Sequence, residues 1–482
     1  MSPGRREPPA PPPGLWERPE MAQALARRDL GAVVRVFRKW TGASQTDVGA
    51  LVGMPQPHIS ELERGGRRIM TLDLFERFAD GLGIPRSLLG LAEDGTGQAK
   101  AETEVVRSQR EWLTTRRTLN RHRPELTRIV SRIYPPEHRL DSTGILMAPE
   151  WRLRAPVDLA SIELVWRQEL PPPPVNGQHE ETRPLRPLVA PGQRYTRYHR
   201  AMRDLDRPRL FENRLCYRLL EVNAPGAERL NLSLTLGNMC YFDMIDVGEA
   251  LAHEAARAAI DAHEVVRARN LTLSQLPFRR MVADPFALAS YPLMLSVSTL
   301  TIRQGRAGTT FLLLRRNPAK VAIAGGMLSV FPTGVFQPAS VLTPPHSPDF
   351  DLWRNMMREY SEEYLGNPEH DGDGPPVDYE NEEPFRSMDA ARRAGKIRVS
   401  CLGIGIDALN YVGDVLTVAV FDSDVFDTIF ERIVEQNEEG DVDHEVFSFD
   451  GPTIQRLLTT EPLAPSGAAC LRLAWEHRAA IA

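Results

Sequence analysis

Four cysteines in 482 residues, Cys216, Cys240, Cys401 and Cys470, are too few and too far apart to make a CxxC metal site or a dense disulfide framework. Long apolar runs are missing too. No stretch approaches the roughly 18–20 residues that a bilayer-spanning helix needs, and the arginine- and proline-bearing start has no apolar core of a signal peptide. The expectation is a cytoplasmic protein in a reducing compartment, with no membrane partner. His253-Glu254 lacks the second histidine of an HExxH zinc site, and Gly403-Ile404-Gly405 is followed by turn and strand rather than by the helix a dinucleotide fingerprint requires. Solenoid-type repeats are absent as well.

What is present divides the chain unevenly. Residues 1–91 hold 13 Arg/Lys against 10 Asp/Glu, whereas residues 349–450 hold 8 against 26. The front leans toward polyanions and the back repels them. Residues 1–19 include seven prolines and few apolar side chains, a composition that cannot offset chain entropy. The spacing and composition predict a Pro-rich disordered arm over 1–28, a helical domain over 29–92 and a linker over 93–103. An Arg-rich connecting or dimerising helix follows over 104–140, then an α/β middle domain over 141–290, a second α/β domain over 291–450 and a tail over 451–482. The fold class is therefore multidomain, an all-α N-terminal domain followed by a mixed α/β region. Strands are expected near 162–166, 215–222, 296–303, 310–315, 397–406 and 415–421, and helices near 247–268, 352–364 and 424–436.

Within the first domain Asp29 stands as N-cap before Leu30, Val33, Val34 and Phe37, which share one helical face. Ser44 followed three residues later by Asp47 reads as a capping box. Val48, Leu51 and Val52 then face the core, Gly53 makes a turn, and Pro55-Gln56-Pro57 opens a second helix where proline is tolerated. This run, with Ile59-Ser60 and Glu63-Arg64-Gly65 after it, resembles the lambda-repressor-like (Cro/C1-type) XRE helix-turn-helix family over residues 30–91. The resemblance implies a transcriptional regulator on double-stranded DNA, with the second helix in the major groove. It assigns base reading to Gln56, His58 and Glu61, and phosphate contact to Gln45, Ser60, Arg64, Arg67 and Arg68. Glu61 and Pro57 depart from the side chains most comfortable at a base edge. A homodimer on paired half-sites is implied by the same family.

A second motif lies far downstream. Glu359, Glu362 and Glu363 fall three and four apart, so a helix brings them to one face, and such a set suits Mg²⁺ with phosphate oxygens. Arg358-Glu359-Tyr360-Ser361-Glu362-Glu363, preceded by the apolar run from Phe311 to Leu314 and by Gly325-Gly326, resembles the core of the Nudix box. The places of the upstream glycine and glutamate hold Pro344 and Phe350, and the closing glycine comes one residue late as Gly366. The resemblance implies a candidate site for a nucleotide-like ligand, with Mg²⁺ as the accompanying ion; no catalytic residue follows from it. The expectation is a DNA-binding regulator whose α/β region senses such a small-molecule effector or a partner. The competing expectation is a Nudix-type hydrolase of nucleoside diphosphate derivatives carrying a DNA-binding module.

Overall fold

A computed structural model describes residues 11–12, 14–65, 72–91, 103–208, 211–224, 231–260, 266, 270–306, 308–316, 327–340, 348–368, 370, 376–431, 433, 440–442 and 446–481. The chain forms two compact units, Met1–Ala101 and Glu102–Ala482.

The first unit is helical: α1 Pro19–Ala26, α2 Leu30–Thr41, α3 Gln45–Val52, α4 Gln56–Glu63 and α5 Leu72–Leu82. The arm expected to extend to residue 28 is corrected by α1. Met21, Ala24 and Leu25, at helical spacing, are buried there together with Leu15, so the chain gains enough apolar burial to order this stretch. The core continues through Val33, Val34, Phe37, Val48, Val52, Ile59, Leu62, Phe75, Phe78 and Leu82.

Among the described residues the second unit is built on a nine-stranded sheet. Its centre is a parallel pair, Leu295–Gly305 beside Gly413–Asp422. Residues 295–302 and 413–421 are buried without alternation, the mark of strands covered on both faces. Ile397–Asp407 pairs antiparallel with Gly413–Asp422, while Gly308–Phe311 and Thr333–Val335 pair antiparallel with Leu295–Gly305. The helix Pro465–Glu476 packs on the three long strands. The helix Leu352–Glu363 docks through Tyr360, whose hydroxyl meets Thr301 Oγ1 at 2.8 Å and whose ring lies against Phe421 and Phe430. A smaller sheet of Glu163–Trp166, Ser233–Cys240 and Leu215–Asn223 joins the main one where Leu219 N donates to Leu293 O and Tyr217 N to Phe336 O, both at 3.0 Å.

The Arg-rich segment forms α6 Glu104–Arg121 and α7 Arg123–Ser131. Trp112, Leu119, Leu126 and Val130 sink into the core of the second unit. Arg116 and Arg123, both buried, converge on buried Glu249 at 2.5 and 3.0 Å. Burial alone would raise the Glu249 carboxyl, but Arg123 and Arg116 more than offset it and hold it below its ordinary value. Among the described residues no helix is long and apolar enough to cross a membrane.

Candidate nucleic-acid interface

Local chemistry fixes the starts of α2 and α3 and the turn into α4. Asp29 Oδ1 accepts from Ala32 N at 2.9 Å at the start of α2. Ser44 Oγ accepts from Asp47 N at 3.1 Å while Asp47 accepts from Ser44 N at 2.8 Å, closing the expected capping box at α3. Gly53, at φ +65°, ends α3 in the left-handed region, and Pro55 caps α4 with Pro57 in its first turn. Gly49 lets the turn close tightly, since a Cβ there would sit 2.5 Å from Met54 O. Gly31 does the same between α2 and α4, where a Cβ would meet Leu62 O at 2.1 Å.

Ile59 and Leu62 anchor α4 in the core. At 3.6 residues per turn, the opposite arc carries Pro57, Ser60, Glu61 and Arg64, with Gln56 at its edge. Gln56, Glu61 and Arg64 are exposed, Ser60 is half-buried, and His58 is half-buried on the flank of the arc. Arg64 Nε donates back to Ser60 O at 3.3 Å. Gln45 stands half-buried at the first turn of α3. Arg67 and Arg68 lie outside the described residues.

A polar relay runs under this surface. The Gln56 amide donates to Gln45 Oε1 at 2.6 Å, and Gln45 in turn donates to Glu63. The Glu63 carboxylate is clasped by Arg38 NH1, at 2.7 and 2.9 Å to its two oxygens, and Arg38 Nε donates to Ala43 O at 3.0 Å. Arg35 donates to the Glu63 carbonyl. Three helices thus hold the two glutamine amides in one orientation. The sequence reading missed Arg38 and Glu63; its only available signal was a charge pair 25 positions apart, which spacing alone does not join.

The three glutamates downstream do share the helix Leu352–Glu363, but they do not converge. Glu363 is buried and accepts from Thr333 N at 3.2 Å. Glu362 turns to His370, taking its backbone N–H and meeting its Nδ1, both at 2.9 Å. Glu359 lies against Gly334, where even a Cβ would collide with its carboxyl at 1.9 Å. Arg358 points inward: it meets Asp349 Oδ1 at 3.4 Å and donates to Asn355 Oδ1 at 2.9 Å and Gln337 O at 2.6 Å. Asp351 caps the helix by accepting from Arg354 N at 2.8 Å. Glu363 ties the helix to the strand Thr333–Val335 and Glu362 ties it to His370, while Glu359 and Glu362 both border a pocket of about 160 Å³; among the described residues no cluster of three His, Cys, Asp or Glu is placed to hold a metal. The converging set that a Nudix-like site and Mg²⁺ require is not supported by this geometry. Gly325 and Gly326 lie outside the described residues.

No curated protein matches the chain. The family described as helix-turn-helix domain matches residues 29–91, the segment that α2 to α5 occupy, and this part of the chain is a helix-turn-helix domain of the DNA-binding kind.

Proposed function

We propose that the protein is a sequence-specific DNA-binding transcriptional regulator that acts as a homodimer and responds to a small ligand or partner through its α/β unit. The observation that carries the first part is the relay from Arg38 through Glu63 and Gln45 to Gln56. An amide whose plane is held in advance loses less freedom on forming two bonds to adenine, and this relay holds it at the N-terminal end of α4. In the proposal Gln56 is a base reader, with His58 and Glu61 beside it, Glu61 accepting from a cytosine amine. Gln45, Ser60, Arg64, Arg67 and Arg68 take phosphates. Dimerisation matches two half-sites one helical turn apart, and an effector shifts DNA affinity by its differential affinity for two arrangements of the protein.

The test is selection of bound duplexes from a random pool by the full chain, repeated at several salt concentrations. Enrichment of a two-fold related motif supports the reading; recovery of unselected sequence at every salt concentration sinks it.

A further inference from the structure

Away from the helix-turn-helix, α6, the hairpin Leu188–Ala190/Gln193–Arg194 and the helix Ala250–Ala259 border a half-open cavity of about 120 Å³. Three arginines line it, Arg186, Arg194 and Arg257, with Trp112 and His253 at its wall. The sequence places them there by simple periodicity. His253 and Arg257 are one turn apart on their helix, and Ser108 and Trp112 are one turn apart on α6.

Among the described residues the three guanidiniums donate to backbone carbonyls. Arg186 donates to Thr196 O, Arg194 to Arg186 O at 2.6 Å, and Arg257 to Pro184 O at 2.8 Å. Among the described residues none of the three forms an ion pair with a carboxylate. Arg186 is about nine-tenths buried, and its Nε has no hydrogen-bond partner. Burying a cation in this way is costly without a counter-charge; the desolvation lowers the Arg186 pKa, and the more distant Asp246 and Glu180 are opposed by Arg197 and Arg183. The one acid at the rim, Glu111, is exposed.

His253 completes the lining. It is buried, stacked on Trp112 with ring centroids 5.8 Å apart, and its Nδ1 meets the Tyr198 hydroxyl at 3.0 Å. Burial, with Arg116 and Arg257 nearby, keeps the ring neutral.

We infer that this cavity is a binding site for a phosphate group, free or as a small monoester. Cationic forks already fixed by carbonyls match tetrahedral oxygens with little ordering cost, and a volume several times that of one water, about 30 Å³, accepts one such group. The site stands independently of the DNA reading, because it draws on no residue of the first unit.

The experiment is calorimetric titration of the full chain with inorganic phosphate at constant ionic strength, with acetate as the planar comparison. Wild type takes up one phosphate per chain. Arg257→Gln and Arg194→Gln, at positions not deep in the core, weaken it about tenfold or more, the loss of one charge-assisted bond, with thermal unfolding unchanged. Arg64→Gln, on the helix-turn-helix, leaves it intact. No phosphate binding by wild type, equal binding of acetate, unchanged binding in both cavity variants, or loss in Arg64→Gln would each overturn the assignment.

Discussion

The Gln56 side-chain amide donates to Gln45 Oε1 at 2.6 Å across the turn that joins α3 to α4. The two residues come from successive helices, and the bond couples the start of one to the start of the other. If Gln56 reads a base, Gln56→Ala lowers affinity for the selected site by about 1–3 kcal/mol and leaves non-specific binding nearly unchanged. Fluorescence anisotropy with cognate and scrambled duplexes measures both.

Arg64 carries a different expectation. If Arg64 contacts a phosphate as proposed, it contributes affinity without sequence, so Arg64→Gln weakens cognate and scrambled duplexes alike and reduces the salt slope by about 1. A titration series in salt gives the slope directly.

The helix-turn-helix itself was legible because its signals are local. Ser44 with Asp47, Gly53 in the left-handed region and Pro55 to Pro57 each act within one turn of chain, and the structure has each of them in its expected role. The two strands themselves were legible for a related reason, since 296–302 and 415–421 are runs of apolar, β-branched or small residues, but their parallel pairing was not. The arrangement of the acidic helix was less legible, because a helical face is shared only until something packs on it. Gly334 and Thr333 approach from the neighbouring strand and draw Glu359 and Glu363 to themselves, while His370 takes Glu362. Pairings such as Arg116 and Arg123 with Glu249, separated by 133 and 126 positions, leave no trace in spacing.

Close packing at Gly31 is also testable. A methyl there meets the Leu62 carbonyl at 2.1 Å, so Gly31→Ala forces α2 and α4 apart and destabilises the first unit by about 1–3 kcal/mol. Urea unfolding followed by circular dichroism measures the change, and Gly42→Ala is an unsuitable control because Gly42 sits at φ +73°.

Glu249 neutralises two buried guanidiniums. Glu249→Ala removes the counter-charge they share, leaving Arg116 only the partly exposed Asp206 at 3.6 Å, and costs about 3–5 kcal/mol in the second unit. Chemical denaturation should show the loss, and a variant as stable as wild type would mean that water reaches Arg116 and Arg123.

The buried imidazole of His253 gives the second unit a pH dependence. Its pKa is pushed well below the ordinary value by burial, with Arg116 and Arg257 adding to the effect. The unfolded chain therefore binds the proton more readily, and this stability is present above the ordinary histidine pKa of about 6.5 and lost as pH falls below it. The slope is up to about 1.4 kcal/mol per pH unit for this one proton. Comparing denaturation at pH 7.5 and 5.5, the wild-type loss should shrink in His253→Phe.

The central claim is that residues 29–91 read DNA sequence through α4, and the most direct measurement is the ratio of cognate to scrambled affinity at near-physiological salt for wild type and Gln56→Ala. The account predicts a ratio of at least about a thousand in wild type, falling about tenfold or more in the variant. Equal affinity for both duplexes in wild type, or a ratio untouched by Gln56→Ala, would contradict it.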